Sequence, residues 1–366
     1  MIPYGRQYID EDDIKAVVRV LRSDYLTQGP AVASFEQALA DYCGVKYAVV
    51  VSSGTAGLHL AYMTAGLGQG DQVITTPNTF AATANMLLAV GAKPVFCDIR
   101  EDTHNIDEKK IERLITKKTK AIVPVHFAGH ACEMDYILNI ARKHNLIVIE
   151  DACHALGARY KNKKIGVLSG MTVFSFHPVK PITTGEGGAI VTNNKKYYEK
   201  LLHLRSHGIH KDRQGFNVMT ELGGNYRMTD IQAALGMSQL KKLDRFIDRR
   251  REVAGWYESR LKGIIGIRIP KELSKGYHGW HLYVIKTNDK KQRLPLYRHL
   301  LKNDIGVNFH YPAVYSHPYY RAHGYKNVWL KNTEAYQDSC ITLPCHTNLR
   351  KSDVMYISNC IKGFFA

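Results

Sequence analysis

The chain has no apolar run long enough to cross a membrane as a helix, which needs about 20 consecutive apolar residues, so a helical membrane protein is not expected. It has no Cys-x-x-Cys pair, and its seven cysteines, Cys43, Cys97, Cys132, Cys153, Cys340, Cys345 and Cys360, are scattered and odd in number. That pattern suits neither a disulfide framework nor a zinc site, and no metal is expected; reduced, mostly buried thiols are. Internal repeats and low-complexity linkers are absent, which sets aside solenoids and disordered tethers. Acidic residues are scarce: 33 Asp and Glu stand against 50 Lys and Arg, for a formal charge of +17. Such a field attracts polyanions, whether nucleic acids or phosphorylated small molecules. The basic residues are nevertheless spread out, as in Lys117-Lys118, Lys195-Lys196 and Arg249-Arg250-Arg251, without a basic zipper or zinc finger. A nucleic-acid partner is therefore not expected. The opening Met1-Ile2-Pro3-Tyr4-Gly5-Arg6 is followed by acidic residues from Asp10 to Asp13. It does not read as a signal peptide, and a cytoplasmic location is expected.

What is present is globular. The 366 residues, 45% hydrophobic and 23% charged, suit two packed domains. Ile14, Val17, Val18 and Leu21 recur at helical spacing over 10–22, and a second helix is predicted over 34–42, ended near Gly44. A buried strand over 47–51 runs into Ser52-Ser53-Gly54-Thr55-Ala56-Gly57 and a helix. Strands follow at 72–75, 94–97, 121–124 and 146–149, separated by helices such as 81–90. A last pair, 173–176 and 189–192, flanks a glycine-rich loop. Alternation of this kind predicts an α/β fold whose mostly parallel sheet is covered on both faces. Beyond about residue 240 the texture changes to a long charged helix over 243–261, a strand-like piece at 281–285 and a helix over 294–301. These predict a smaller α+β domain, 246–366, after a large domain, 1–245.

Three segments carry chemistry. Ser52-Ser53-Gly54-Thr55-Ala56-Gly57 follows a strand and opens a helix; small residues let backbone N–H groups approach an anion, and the helix start adds partial positive charge. It is neither Gly-x-Gly-x-x-Gly nor a Walker loop. Glu150-Asp151 closes a strand, at the end that faces the ligand crevice of a parallel sheet. A carboxylate there can hold a pyridinium nitrogen protonated or simply cap a helix. Lys180 lies between Pro178 and Pro181, ahead of Gly185-Glu186-Gly187-Gly188. That context is poorly helical; the lysine is either a held nucleophile and base or an exposed loop residue.

Taken in order, cradle, strand-end Asp and loop Lys resemble fold-type I pyridoxal-phosphate enzymes. Thr27-Gln28-Gly29-Pro30, Ser52-Ser53-Gly54-Thr55, Thr76-Pro77 with Phe80, Asp151 with His154, and Ser175-Phe176 through Lys180 to Gly188 resemble nucleotide-sugar aminotransferases of the DegT/DnrJ/StrS family. The resemblance runs from near residue 3 to near residue 350. It implies a mostly parallel seven-stranded sheet in the large domain and pyridoxal 5′-phosphate as cofactor. It further implies that Lys180 bonds the cofactor, Asp151 pairs with its ring nitrogen, Phe80 stacks on the ring and His154 sits near the ring hydroxyl. Gly54, Thr55 and Ser175 would hold the phosphate. Asn225 matches a residue that reaches the phosphate in the partner's site, implying a homodimer with shared active sites. Family dehydratases carry His in place of the lysine; here that position is Lys180, and His177 does not replace it.

Within the family, Ile2-Pro3-Tyr4, Leu26-Thr27-Gln28-Gly29, Arg205-Ser206-His207-Gly208 and Leu343-Pro344-Cys345-His346 are most similar to the branch serving pseudaminic acid biosynthesis. That resemblance implies amination of C4 of a UDP-linked 4-keto-6-deoxy-N-acetylhexosamine with L-glutamate as donor. It places substrate contacts at Tyr4, at Asp24, Tyr25, Leu26 and Thr27, and at His310, Tyr311, Pro312 and Ala313. The alternatives are another nucleotide-4-keto-sugar aminotransferase (UDP-bacillosamine, perosamine or dTDP-amino-sugar type), a sugar dehydratase on the same scaffold, and a basic regulatory protein.

Overall fold

A computed structural model describes residues 1–273 and 276–366. Its centre is a seven-stranded sheet built from β1 (Tyr47–Val51), β2 (Gln72–Thr75), β3 (Lys93–Phe96), β4 (Thr119–Val123), β5 (Ile147–Asp151), β6 (Met171–Ser175) and β7 (Gly188–Thr192). The spatial order is β1-β7-β6-β5-β4-β2-β3. β7 pairs antiparallel with both neighbours, whereas the pairs among β2 to β6 are parallel. The mostly parallel sheet expected from the alternation is therefore present. Successive residues of each strand feed opposite faces. Ala48 and Val50 enter one apolar core with Phe35, Leu39 and Phe174, while Val49 and Val51 enter the other with Leu58, Leu60 and Tyr62. Burial on both faces is why these strands read as continuous Val/Ile runs.

Helices cover both faces. α1 (Glu11–Leu21) starts with a capping box between Asp10 and Asp13, which satisfies N–H groups that the helix leaves unpaired. α2 (Pro30–Cys43) begins four residues earlier than the reading from Ser34 predicts. Pro30 occupies its first turn after Gly29, where a missing N–H costs nothing. Gly44, with φ of 75°, ends it. α3 (Gly54–Thr64), α4 (Ala82–Ala89), α5 (Met134–Lys143), α6 (Lys195–Arg205) and α7 (Asp230–Leu240) complete the large unit. A two-stranded hairpin, Ile209–Lys211 with Asn217–Met219, had no expectation in the sequence.

α8 (Leu243–Leu261) joins two cores. Leu243, Phe246 and Ile247 pack in the large one, and Val253, Ala254, Tyr257 and Leu261 in a third. That third core lies against an antiparallel sheet, β8 (Ile267–Arg268), β9 (Tyr283–Thr287) and β10 (Cys340–Leu343), with α9 (Arg293–Lys302) and α10 (Lys351–Phe365). The N-terminal residues join this smaller unit: Ile2 bridges Ile305 in parallel and packs against its core.

Candidate active site

The carboxyl ends of β5 and β6 and the turn before α3 converge on a cavity of about 670 Å³, closed on its far side by residues 308–312. Strand alternation separates the acidic pair at the end of β5. Glu150 points away from the cavity, fully buried, accepting from Thr172 Oγ1 (2.9 Å) and facing His126 Nε2 (2.7 Å). Asp151 points into it. Its Oδ2 accepts from Thr83 Oγ1 at 2.6 Å and its Oδ1 from the Cys153 N–H at 3.1 Å. Thr79 and Thr83 hydroxyls lie 2.8 Å apart; because the carboxylate only accepts, Thr83 must receive its second bond from Thr79. A two-hydroxyl chain thus fixes the carboxylate's orientation.

The cradle forms where α3 begins. Ser53 caps the helix by accepting from the Ala56 N–H at 3.1 Å, which leaves the Gly54 and Thr55 N–H groups at the cavity wall. Gly54 is needed for space: a Cβ there would lie 2.9 Å from Ser175 Cβ and 3.1 Å from Cys153 Sγ. Gly188, at the start of β7, runs so close to the same turn that a Cβ would lie 2.7 Å from the Gly54 nitrogen. N–H groups at a helix start, with the Ser175 hydroxyl opposite, form an anion seat.

Lys180 reaches the cavity from the loop after β6. Its backbone N–H closes a turn on the His177 carbonyl at 2.9 Å. Burial holds its amine below the usual lysine range, while the Asp151 carboxylate pulls the other way. The Cys153 thiol is itself pushed well up by burial and stays neutral.

One wall is built of histidines and a tyrosine. His154 Nδ1 accepts from the Ala128 N–H at 3.2 Å, so its proton sits on Nε2 and is donated to Tyr311 Oη, 3.1 Å away. The Tyr311 hydroxyl proton is left free for a ligand. Burial, with the nearby Lys180 charge, depresses His154 and His281 well below the ordinary histidine value and His310 to about 3. All three are neutral. His281 Nδ1 is buried without a partner.

Of the residues expected from sequence, the cavity brings together Gly54, Thr55, Phe80, Asp151, His154, Ser175 and Lys180. It also takes Tyr4, His310, Tyr311 and Pro312 from the proposed substrate set. Phe80 stands at the mouth, 61% exposed. The structure does not bring Asp24, Tyr25, Leu26 or Thr27 to the cavity of their own chain. They lie in an exposed turn tied to the start of α7, with the Leu26 carbonyl accepting from Asp230 and Thr27 bridging Thr229. Ala313 is fully buried behind the wall, its N–H donating to Gln337. Asn225 is exposed in a turn paired with Ser206, away from its own chain's cavity. Sequence reading missed Thr79, Thr83 and His281. Thr83 meets Asp151 across 68 residues, so no local pattern marks it.

The donor set suits a phosphorylated aldehyde with a basic ring nitrogen. The glycine-cleared cradle has room for a phosphate, Lys180 could offer an amine to the aldehyde, and Asp151 presents an oriented carboxylate. Pyridoxal 5′-phosphate is such a group, and the protein is a pyridoxal-phosphate-dependent aminotransferase. Residues 7–362 match the DegT/DnrJ/EryC1/StrS aminotransferase family, and the chain belongs to that family. It is 43% identical to the UDP-4-amino-4,6-dideoxy-N-acetyl-beta-L-altrosamine transaminase of Campylobacter jejuni, over 98% of this chain and 96% of the relative. The solved structure of Helicobacter pylori PseC, an aminotransferase involved in pseudaminic acid biosynthesis, superposes with a TM-score of 0.95 at 38% identity, covering 100% of this chain and 99% of that one. The PLP form of Streptococcus pneumoniae Spr1654 gives 0.94 at 30% identity, covering 100% and 98%. No helix among the described residues is long and apolar enough to cross a membrane.

Proposed function

We propose that this sugar aminotransferase moves an amino group from L-glutamate to C4 of a UDP-linked 4-keto-6-deoxy-N-acetylhexosamine. The product would be UDP-4-amino-4,6-dideoxy-N-acetyl-β-L-altrosamine, a step of pseudaminic acid biosynthesis, in a cytoplasmic homodimer. The observation that carries the chemistry is that Lys180 and Asp151 line one cavity with the Gly54-Thr55 cradle. The named Campylobacter transaminase supports the substrate. The +17 charge suits a diphosphate-linked sugar.

When bound, pyridoxal phosphate supplies an aldehyde that takes up the amine and a ring that absorbs carbanion charge. In this reading Lys180 bonds that aldehyde. Its Nζ would take a proton from the glutamate Cα and return one to sugar C4; burial keeps the amine less basic than a free lysine, which suits a general base. Asp151, aligned by Thr83, holds the ring nitrogen protonated. Gly54, Thr55 and Ser175 would hold the phosphate, Phe80 would cover the ring, and the His154-Tyr311 pair would offer it a hydroxyl proton. Asn225 of the partner subunit completes the phosphate seat. Tyr4 and residues 310–313 face the sugar, and Asp24 to Thr27, exposed in their own chain, serve the neighbouring site.

The test is product analysis by NMR with UDP-, GDP- and dTDP-linked 4-keto sugars, with and without glutamate. Glutamate-dependent amination of the UDP-linked N-acetyl sugar is expected. Preference for a GDP or dTDP sugar removes the substrate assignment, and turnover without glutamate removes the transaminase direction.

A further inference from the structure

Arg250 lies midway along α8, between the halves that serve the two cores, and is 2% exposed. Buried cations are normally paired with a carboxylate. Among the described residues, no carboxylate lies within ion-pair reach of Arg250, and its Nε has no partner. The guanidinium instead donates to four main-chain carbonyls from three segments. Nη1 reaches Cys345 (2.6 Å), His281 (3.2 Å) and Trp280 (3.4 Å), and Nη2 reaches Val179 (3.4 Å). Two of these segments border the cavity, and the third is tied to a residue that does. Val179 precedes Lys180. His281 lines the wall. The Cys345 N–H donates to the Tyr4 carbonyl at 3.2 Å, tying in the N-terminal segment.

We propose that Arg250 is a positioning residue for Lys180: its unpaired guanidinium locks the lysine loop to the small-unit wall and sets a positive charge beside the amine. Arg250 does not line the cavity and so acts through Val179 rather than on substrate. The inference rests on Lys180 being the cofactor-bonding lysine. The groups facing Lys180 are Asp151, which favours the charged amine, Arg250, which opposes it, and the neutral Cys153, His154, His281 and His310. Removing the Arg250 charge should therefore make the amine more basic. A role confined to stability would leave that property unchanged, since a well-packed apolar replacement of a buried charge is often tolerated.

The test uses the holoenzyme and two variants, Arg250→Met and Arg250→Lys. Borohydride reduction and peptide mapping of the unaltered protein come first; a label elsewhere than Lys180 removes the underlying reading. With Lys180 labelled, the pH midpoint of the bound cofactor's absorbance should rise by roughly half a unit or more in Arg250→Met. kcat should fall about tenfold or more, with the glutamate KM little changed. Arg250→Lys keeps the charge but cannot span four carbonyls, so its midpoint should stay and its kcat fall several-fold. If Arg250→Met does not fold, Arg250→Lys decides alone. Variants with unaltered midpoint and kcat, differing only in melting temperature, overturn the proposal.

Discussion

Asp151→Asn separates charge from shape. The carboxylate accepts from the Cys153 N–H at Oδ1 and from Thr83 Oγ1 at Oδ2. An asparagine can keep its oxygen on the fixed Cys153 N–H and place its NH₂ toward Thr83. The Thr83 hydroxyl then turns to accept and can donate instead to the Phe80 carbonyl, 3.3 Å away. The network therefore survives the change, and the loss in folding stability should stay within about 1 kcal/mol. The charge does not survive. A unit-charge pair at about 4 Å, at an effective dielectric constant near 20, is worth about 4 kcal/mol. Lost from the transition state, that is about a thousandfold in rate. The assay is single-turnover transamination of bound cofactor by glutamate, beside a melting curve and a cofactor count per subunit. Cofactor retained, melting nearly unchanged and a rate lower by about three orders of magnitude are expected. A cofactor-loaded variant within tenfold of the normal rate would show that Asp151 only caps the turn at Cys153.

Three further outcomes follow from other parts of the structure. Gly188→Ala would force a Cβ to within 2.7 Å of the Gly54 nitrogen, so it should cost about 1–3 kcal/mol of stability and weaken pyridoxal phosphate retention in equilibrium dialysis; unchanged retention would remove the cradle assignment. Burial depresses His154, His278 and His281 well below 6.5, His104 and His310 to about 3 and His346 to about 4. Each is neutral when folded and binds a proton when unfolded below pH 6.5, so stability is fully present above 6.5 and falls on acidification by up to about 1.4 kcal/mol per pH unit per histidine. Melting temperature should drop steeply between about pH 6.5 and 5; a flat profile would contradict the neutral histidine wall. Finally, Lys180→Ala and Asn225→Asp, each inactive alone, should regain part of the activity when mixed under subunit exchange, since one site of the mixed dimer carries neither change. Confirmed mixed dimers without activity would show that Asn225 serves its own chain.

The parts legible in the sequence are those written in short range. The Val-rich strand entering Ser53-Gly54-Thr55, the carboxylate ending β5 and the lysine before a glycine loop each lie within a few residues, and the sheet's topology brings all three to one cavity. Where strand alternation decides, a pair such as Glu150-Asp151 is ambiguous until the register is known; only Asp151 faces the cavity. The Thr83 hydroxyl, the His154-Tyr311 bond across 157 residues and the carbonyl cluster around Arg250 depend on long-range packing and leave no local mark. The start of α2 at Pro30 was readable from proline after glycine, but the apolar spacing from Ser34 drew the boundary too late. Asp24 to Thr27 and Asn225 lie on the surface of one chain, so nothing within that chain gathers them into a site.

The central claim is that Lys180 bonds the cofactor and moves the proton. Its most direct measurement is reduction of the pyridoxal-phosphate-loaded protein with borohydride, followed by mass-spectrometric mapping of the labelled peptide. The account predicts one pyridoxyl group per chain, on Lys180, and no label in Lys180→Ala. A label on any other lysine, or an undiminished label in Lys180→Ala, would contradict it.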